Sequence, residues 1–310
     1  MPDARALDPG RVRIIGNPAS GRGRGARSIS ATRAAFAVHG ITDVVMTERA
    51  GDEERLVREA LSDGVGTIVV AGGDGTWSKC AIALARAASP ARMAFLAAGT
   101  GNDFAKNLRA PARDAAALAR LIASGDAVER RVDLGRVDDE WFLNVAGFGF
   151  DVAVLRATAD ATLLRGPALY VSTAVRQLFR CAPVEARVGR GELDPAAPWV
   201  KRLLMVFSNG AHFGGAFHIA PGANVLDGAL DAVLIGDTAP ATWRRAPLLA
   251  RALVGTHLRD PRVEHLRDVR FTLEFREAPW FEVDGELRQA RGPSCEVGCL
   301  PGVLRALDAP

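Results

Sequence analysis

The first 125 residues alternate between short apolar runs and longer stretches in which apolar positions recur with helical spacing. The apolar runs predict strands over residues 11–16, 41–47, 67–71 and 93–97. The intervening stretches predict helices over residues 22–39, 52–62, 76–88, 102–108 and 113–124. A regular alternation of strands and helices is typical of a parallel sheet with helices on both faces. We therefore predict an N-terminal doubly wound α/β domain over residues 1–130.

The pattern changes after residue 126, where short apolar or alternating runs follow one another with few helical stretches. Predicted strands cover Val128–Val137, Trp141–Ala146, 182–189, 200–208, 230–235, 268–275 and 279–284, the first two joined by a turn at Asp138-Asp139. Helical spacing is confined to Pro167–Cys181 and 240–254. Many short strands separated by Gly- and Pro-rich turns predict a mainly antiparallel β-sandwich domain over residues 131–295.

Composition agrees with two domains and excludes several function classes. The chain has 310 residues, 48% of them hydrophobic, and a net charge of +3, which is too small to indicate a nucleic-acid-binding protein. We find no run of 18 apolar residues that would predict a transmembrane segment, and no apolar signal core near Met1. The four cysteines lack zinc-ligand spacing, so we expect reduced thiols in a cytoplasmic protein.

Two glycine-rich turns carry the candidate chemistry. Gly72-Gly73-Asp74-Gly75-Thr76 and Gly99-Thr100-Gly101-Asn102-Asp103 each follow a predicted strand. Glycines tolerate positive φ and close approach by a ligand, and N–H groups at a helix start favour phosphate. Two such turns at neighbouring strand ends predict a nucleotide polyphosphate site, and their aspartates suggest a bridging cation. The alternative is a pair of tight turns without a ligand.

These turns belong to a series of motifs that resembles the diacylglycerol kinase catalytic-domain family, whose soluble bacterial lipid kinases are also similar to sphingosine kinases. The series comprises Asn17-Pro18-Ala19-Ser20-Gly21, Thr47, Gly72–Thr76, Gly99–Ala105, Asp133-Leu134-Gly135, Asn144–Asp151, Asn209-Gly210, Asp227–Asp231 and Val283-Asp284-Gly285-Glu286. The resemblance implies transfer of the γ-phosphate of ATP, with Mg²⁺, to the hydroxyl group of diacylglycerol or a similar lipid at the membrane surface. It also implies that the tail, residues 296–310, packs back on the nucleotide-binding domain.

The resemblance assigns roles to individual residues. For ATP it implies Asn17, Thr47, Gly72, Gly73, Asp74, Gly75, Thr76, Trp77, Ser78, Gly99, Thr100, Asn102 and Asp103. Asp74 and Asp103 are the candidates for organising Mg²⁺, and the resemblance adds Asp133 to the same water-bridged network. It also implies that Asp227, with the carbonyl groups of Asn224 and Ala229, holds a structural Mg²⁺. It makes Asp284 the proton acceptor, although Asp284-Gly285 by spacing alone indicates a hairpin turn.

One departure from the family pattern keeps other functions open. Trp77-Ser78-Lys79 stands where the family has an Asn-Glu pair after the first glycine turn, so Lys79 replaces an acid. A nucleotide-binding protein without kinase activity is therefore one alternative. An NAD kinase, which shares the Gly-Gly-Asp-Gly-Thr turn and the two-domain plan, is another. The sequence specifies neither the lipid nor the oligomeric state, for which a homodimer is one candidate.

Overall fold

The computed structural model describes residues 8–23, 25–159, 167–237 and 242–310 and divides the chain into two units. The first unit extends to Leu134 and also includes Val225–Asp227 and Pro301–Pro310. The second unit consists of Gly135–Asn224 and Gly228–Leu300. The polypeptide therefore enters the first unit three times, and only its longest segment is continuous in sequence.

A parallel sheet forms the centre of the first unit. Its strands are β1 (Asp8–Gly16), β2 (Val44–Met46), β3 (Val65–Gly72) and β4 (Arg92–Ala97). β1 lies between β2 and β3, β3 also pairs with β4, and all these pairings are parallel. Every residue of β3 is buried, as expected for a central strand covered on both faces. The predicted doubly wound α/β fold is thus confirmed.

Three helices connect these strands: α1 (Gly25–Ala37), α2 (Asp52–Ser62) and α3 (Asp74–Arg86). A fourth, α4 (Ala115–Ala123), follows β4. α2 has the predicted bounds: Gly51 is its N-cap residue, with a φ of 92°, and the acidic residues of its first turn interact favourably with the helix dipole. α3 begins at Asp74, two residues earlier than predicted, so the glycine turn itself supplies its first turn. The helix predicted over 102–108 is a short 3₁₀ helix, Phe104–Asn107.

The second unit is built from antiparallel strands, as predicted. They are β5 (Val128–Val137), which begins in the first unit, β6 (Glu140–Phe142), β7 (Val145–Gly149), β8 (Val184–Arg190), β9 (Val200–Ser208), β10 (Leu230–Gly236), β11 (Val263–Asp268), β12 (Arg270–Phe275), β13 (Trp280–Val283), β14 (Glu286–Gln289) and β15 (Ser294–Asp308), which ends in the first unit. β9 pairs antiparallel with β7, β8 and β10, and β13 pairs antiparallel with β7 and β14.

Aromatic rings fill the core of this β-sandwich. The ring of Phe148 stacks on the rings of Phe275 and Phe281, with centroid distances of 5.3 and 5.6 Å, and meets Phe207 edge-on. Three helices accompany the strands: α5 (Phe150–Ala159), α6 (Pro167–Arg180) and α7 (Arg245–Leu253). Within the ranges that the structure describes, none of the helices combines the length and the hydrophobicity of a transmembrane segment.

The end of β15 belongs to the first unit. Arg305 and Ala306 pair in parallel with Arg92 and Met93 of β4. The buried carboxylate of Asp308 accepts hydrogen bonds from the backbone N–H groups of Arg109 and Ala110, at 2.6 and 2.7 Å. These contacts fix the segment that follows the Phe104–Asn107 helix, next to the second glycine turn.

Several elements differ from the sequence-based expectation. The strand predicted over Trp141–Ala146 is divided into β6 and β7, and the sequence did not predict α5, β11, β14 or β15. The division occurs because the backbone N–H groups of residues 143–145 all donate to one side chain, Asp284, rather than to a neighbouring strand.

Candidate functional site

The first glycine turn is closed by a side-chain contact between β1 and α3. The amide of Asn17, directly after β1, donates to the hydroxyl group of Thr76 at 2.8 Å. Gly72 is required here because a Cβ atom on it would lie 2.7 Å from the Cβ of Thr76. Gly73 is the N-cap residue of α3, so the first N–H groups of this helix begin at the turn.

The two glycine turns contact each other backbone to backbone. A Cβ atom on Gly99 would lie 2.6 Å from the Cα of Gly73, closer than real side chains allow. Asn102 closes the second turn on itself, since its side chain accepts from the N–H of Gly99 and donates to the carbonyl of Gly99, both at 3.1 Å. The predicted nucleotide residues Asn17, Gly72, Gly73, Thr76, Gly99 and Asn102 therefore lie together.

Positive φ is not the reason for these glycines, so that part of the sequence interpretation was wrong. Among the described residues of the two turns, the only positive φ belongs to Asn102, at 50°. Gly73 and Gly99 are needed for close packing instead. Gly75 lies in the first turn of α3, where a Cβ atom would meet no protein atom within 4 Å.

Asp74 joins the two turns electrostatically. Its carboxylate accepts the N–H of Phe104 at 3.2 Å, and the N–H groups of Asn102 and Asp103 also face it. Burial, and next the charge of Asp103, raise the pKa of Asp74 despite these donors. The Asp103 carboxylate is itself ion-paired with Lys106. The two neighbouring negative charges repel each other, and a bound cation would reduce this repulsion.

The other residues expected to touch ATP differ in exposure. Thr47 is buried, and its N–H donates to the carbonyl of Gly16 at 2.9 Å, beside the end of β1. Thr100 is exposed. Trp77 lies in the core, where its indole N–H donates to the carbonyl of Val70 and its ring meets Phe95 edge-on. Its side chain therefore has no polar atom left for a ligand.

The residues that depart from the family pattern follow Trp77 on α3. Ser78 is buried, and Lys79 is half-buried. Lys79 is the sixth residue of α3 rather than a member of its first turn. An unfavourable interaction with the helix dipole is therefore not expected, because that effect is confined to the first turn.

The remaining predicted metal ligands lie on other segments. Asp133 is buried on β5, where its carboxylate accepts the N–H of Gly302 at 2.7 Å. Asn224 and Asp227 are exposed and Ala229 is half-buried on the loop before β10. In the described part of the chain, no group of three or more His, Cys, Asp or Glu side chains is placed to hold a metal ion.

Asp284 occupies a strained turn and is held by three backbone donors. Its φ is 48° and that of Gly285 is 86°, which fits a two-residue hairpin between β13 and β14. One carboxylate oxygen accepts the N–H groups of Asn144 and Val145 at 2.9 and 3.0 Å. The other accepts the N–H of Leu143 at 2.6 Å. The Asp284 side chain is thus fixed by the break between β6 and β7.

The same break is held from its other side by Asn209, which follows β9. The amide of Asn209 donates to the carbonyl of Leu143 at 2.7 Å, and its backbone N–H donates to the carbonyl of Asn144 at 2.9 Å. The Asn144 amide donates to the carbonyl of His212 at 2.8 Å. Sequence reasoning did not give Asn144 and Asn209 a role, although both stand in the motifs Asn144–Asp151 and Asn209-Gly210.

A pocket of about 560 Å³ opens in the second unit beside β7 and the start of α5. Phe148, Val152, Phe275 and Trp280 provide apolar lining. Arg156 is also part of the lining, and its guanidinium lies over the Trp280 ring, 4.9 Å from its centroid. A pocket with apolar walls and a few polar groups suits an amphipathic ligand.

Comparisons with known sequences agree over both units. Residues 11–137 match the family described as "Diacylglycerol kinase catalytic domain", and residues 144–308 match "YegS C-terminal NAD kinase beta sandwich-like domain". A protein of Xanthomonas oryzae pv. oryzae named "Probable lipid kinase YegS-like" is 33% identical over 282 residues, which cover 85% of each chain. A Pseudomonas fluorescens protein with the same name is 37% identical over 68% of each chain.

The extent of these matches varies. A Pseudomonas aeruginosa protein, also named "Probable lipid kinase YegS-like", is 40% identical, but the match spans 62% of its length, somewhat less than two thirds. Among solved structures, a diacylglycerol kinase from Bacillus anthracis superimposes with a TM-score of 0.72 over 97% of both chains. Its sequence identity is 20%, so this likeness shows a shared fold.

Proposed function

This chain belongs to the YegS-like lipid kinases with a diacylglycerol kinase catalytic domain, and we propose that it transfers the γ-phosphate of ATP to the hydroxyl group of diacylglycerol or a similar lipid. Membership in a kinase family implies use of ATP. The observation that carries the proposal is the contact between the two glycine turns, with Asp74 bonded across it.

In the proposed site, the phosphates of ATP meet the first N–H groups of α3. These groups have no partners within the helix, and a helix N-terminus attracts anions. Gly75 leaves the helix surface without a side chain at this point. Thr76 and Thr47 supply hydroxyl groups near the ends of β3 and β1, and the exposed Thr100 supplies a third from the second turn.

Asp74 and Asp103 fit a Mg²⁺ ion that is bound largely through water. The negative charges of the two carboxylates repel each other, so a cation between them would be favourable. Asp74 already accepts backbone N–H groups, which leaves it few lone pairs for direct coordination. When bound, Mg²⁺ would neutralise negative charge on the transferring phosphate. We keep Asp133 as an outer member of this network. The carboxylate of Asp227 and the carbonyls of Asn224 and Ala229 are oxygen donors that suit a second, structural Mg²⁺.

Asp284 is the proposed acceptor of the lipid hydroxyl proton. Three backbone N–H groups fix its carboxylate, so its orientation does not depend on a bound substrate. A prepositioned carboxylate of this kind supports general-base catalysis.

The lipid acceptor has to be drawn from a bilayer, and a surface around the end of α6 is suited to that contact. We define the α6 surface by the exposed side chains Val175, Arg176, Phe179, Arg180, Trp243 and Arg244. Arg245 donates to the carbonyls of Leu178 and Cys181, which brings the 3₁₀ turn Thr242–Arg244 beside the last turn of α6. Apolar side chains next to arginines fit an anionic membrane surface.

The test is transfer of radioactive γ-phosphate from ATP to a panel of lipid hydroxyl acceptors, in mixed micelles with Mg²⁺. We expect a phosphorylated lipid, with diacylglycerol among the acceptors. NAD is the control acceptor, because the second-unit match describes an NAD kinase-like sandwich. Phosphorylation of NAD instead of lipid would establish the NAD kinase alternative. Binding of ATP without transfer to any acceptor would indicate a nucleotide-binding protein without kinase activity.

A further inference from the structure

Two buried carboxyl groups lie beside the Asp284 turn. Glu282 of β13 is 0% exposed and Asp151 of α5 is 2% exposed. Gly147 makes room for both, because a Cβ atom on it would lie 1.5 Å from Asp151 Oδ2 and 3.1 Å from Glu282 Oε1. These two oxygens are buried and accept no hydrogen bond.

The other oxygen of each carboxyl group is engaged locally. Glu282 Oε2 accepts the N–H of Gly285 at 2.6 Å, the residue after Asp284. Asp151 Oδ1 accepts the N–H of Val152 at 2.8 Å, in the first turn of α5. One carboxyl group is therefore attached to the Asp284 turn and the other to the start of a helix, and their two unsatisfied oxygens occupy the same space beside Gly147.

No cation among the described residues forms an ion pair with either member of this pair. Two other titratable groups interact electrostatically with the pair. The charge of Asp284 affects Glu282, and the charge of Asp151 affects Cys181, the residue directly after α6. The positive charge of Arg245 lowers the pKa of Cys181, but Arg245 is itself ion-paired with Asp237. Burial, and for Glu282 next the charge of Asp151, raise the pKa of both carboxyl groups, that of Asp151 to about 7.

Two ionised carboxylates in such a place would repel each other, whereas one proton between them satisfies both orphaned oxygens. We propose that Asp151 and Glu282 share one proton and act as positioning residues that hold the Asp284 turn against the start of α5. The role in catalysis rests on the proposed function of Asp284. The shared proton itself does not, because it follows from the burial and the contacts of the pair.

The first experiment tests the proton without any activity. Infrared difference spectroscopy at neutral pH compares the wild type with Glu282→Gln and Asp151→Asn, following the carbonyl stretch of a protonated carboxylic acid and its shift in D₂O. We expect this band in the wild type and its loss in both variants. Glu286→Gln is the control: Glu286 follows the turn as the first residue of β14, and this variant should keep the band. A wild-type spectrum without the band, or a band that survives in both variants, would overturn the proposal.

The second experiment tests positioning through the pH profile of kcat for lipid phosphorylation. Gln at position 282 is a neutral isostere, with an oxygen for the Gly285 N–H and an amide donor for Asp151. We expect Glu282→Gln to keep most of kcat and to move the alkaline decline to higher pH. Glu282→Ala should lower kcat about tenfold or more with the KM for ATP unchanged.

An equal loss in the Gln and Ala variants, with an unchanged pH profile, would refute the positioning role. If the wild type phosphorylates no lipid, the proposed function fails, while the infrared result still decides whether the proton is shared.

Discussion

Gly73 and Gly99, from two different turns, touch through their backbones: a Cβ atom on Gly99 would lie 2.6 Å from the Cα of Gly73. Neither backbone can yield as a flexible side chain would. We therefore expect Gly99→Ala to destabilise the protein by about 1–3 kcal/mol, as overpacking does in a well-packed interior. It should also weaken ATP binding, because the two turns would be forced apart. Chemical denaturation and calorimetry with ATP and Mg²⁺ measure the two effects.

Gly75→Ala is the matched substitution for Gly99→Ala. A Cβ atom on Gly75 meets no protein atom within 4 Å, and the residue is in a helix, where alanine is favoured over glycine by up to about 1 kcal/mol. Stability of the free protein should therefore be unchanged or higher. ATP affinity should still fall, and fall further in Gly75→Val, if phosphate approaches this backbone. Unchanged affinity in both variants would move the phosphate site elsewhere.

Asp74 has a structural role and a proposed metal role, and two substitutions separate them. Asp74→Ala leaves N–H groups of the second turn unsatisfied, at about 1–3 kcal/mol for a buried group, and should abolish ATP binding. Asp74→Asn keeps an oxygen for the Phe104 N–H but removes the charge. We expect it to remain stable while ATP binding loses its dependence on Mg²⁺, measured by calorimetry with and without the ion. Retention of full Mg²⁺ dependence in Asp74→Asn would exclude Asp74 from the metal network.

Local signals explain why much of the first unit was predictable. Gly51 and the acids of the first turn mark the start of α2, and a continuous apolar run marks β3. The break between β6 and β7 has no such local signal. It depends on Asp284, which is 141 residues from Leu143 in the chain, so the apolar run there reads as a single strand.

The candidate site shows the same division. The glycine turns could be found from their residue types, but their packing could not, because the contact between Gly73 and Gly99 depends on how two strands are paired. The buried pair of Asp151 and Glu282 was also missed. An alternating strand pattern gives no sign that Glu282 points inward, since a glutamate in a strand usually faces solvent.

Asp284→Asn is expected to lower the rate of phosphoryl transfer by about 10²–10⁴-fold, the usual cost of losing a general base, with ATP affinity unchanged. Asn keeps one oxygen for the N–H groups of residues 143–145, so the fold should survive. Asp138→Asn is the control, because Asp138 also stands in a hairpin with a φ of 50° and accepts a backbone N–H, from Glu296. A variant at position 284 that kept more than about a tenth of wild-type turnover would remove Asp284 from this role.

The buried carboxyl pair predicts how stability depends on pH. The pKa of Asp151 is raised from 3.8 to about 7, and that of Glu282 is raised well above its ordinary value. The folded protein therefore holds a proton that the unfolded chain releases, and its stability falls as pH rises from about 4 through these values. Denaturation between about pH 5 and pH 8 should show this decline, and a smaller decline in Glu282→Gln. Identical pH dependence in both proteins would contradict it.

The α6 surface predicts binding to anionic bilayers. Trp243 is 63% exposed and Phe179 is 47% exposed, each followed by an exposed arginine. Insertion of the aromatic rings and attraction of the arginines should act together, so binding should need anionic lipid and weaken with salt. We expect the wild type to float with phosphatidylglycerol vesicles, and to float less with phosphatidylcholine vesicles or at high salt.

Trp243→Ser and Arg180→Gln should each reduce flotation with the anionic vesicles. Val38→Ser, at an 81% exposed apolar position of the first unit, should not. Activity separates binding from chemistry: the variants should lose phosphorylation of lipid in vesicles but keep it in detergent micelles, where the substrate reaches the protein without a bilayer. Equal flotation of the wild type, Trp243→Ser and Arg180→Gln would show that this surface does not bind the membrane. Equal loss of activity in micelles and vesicles would place the defect in the catalytic site.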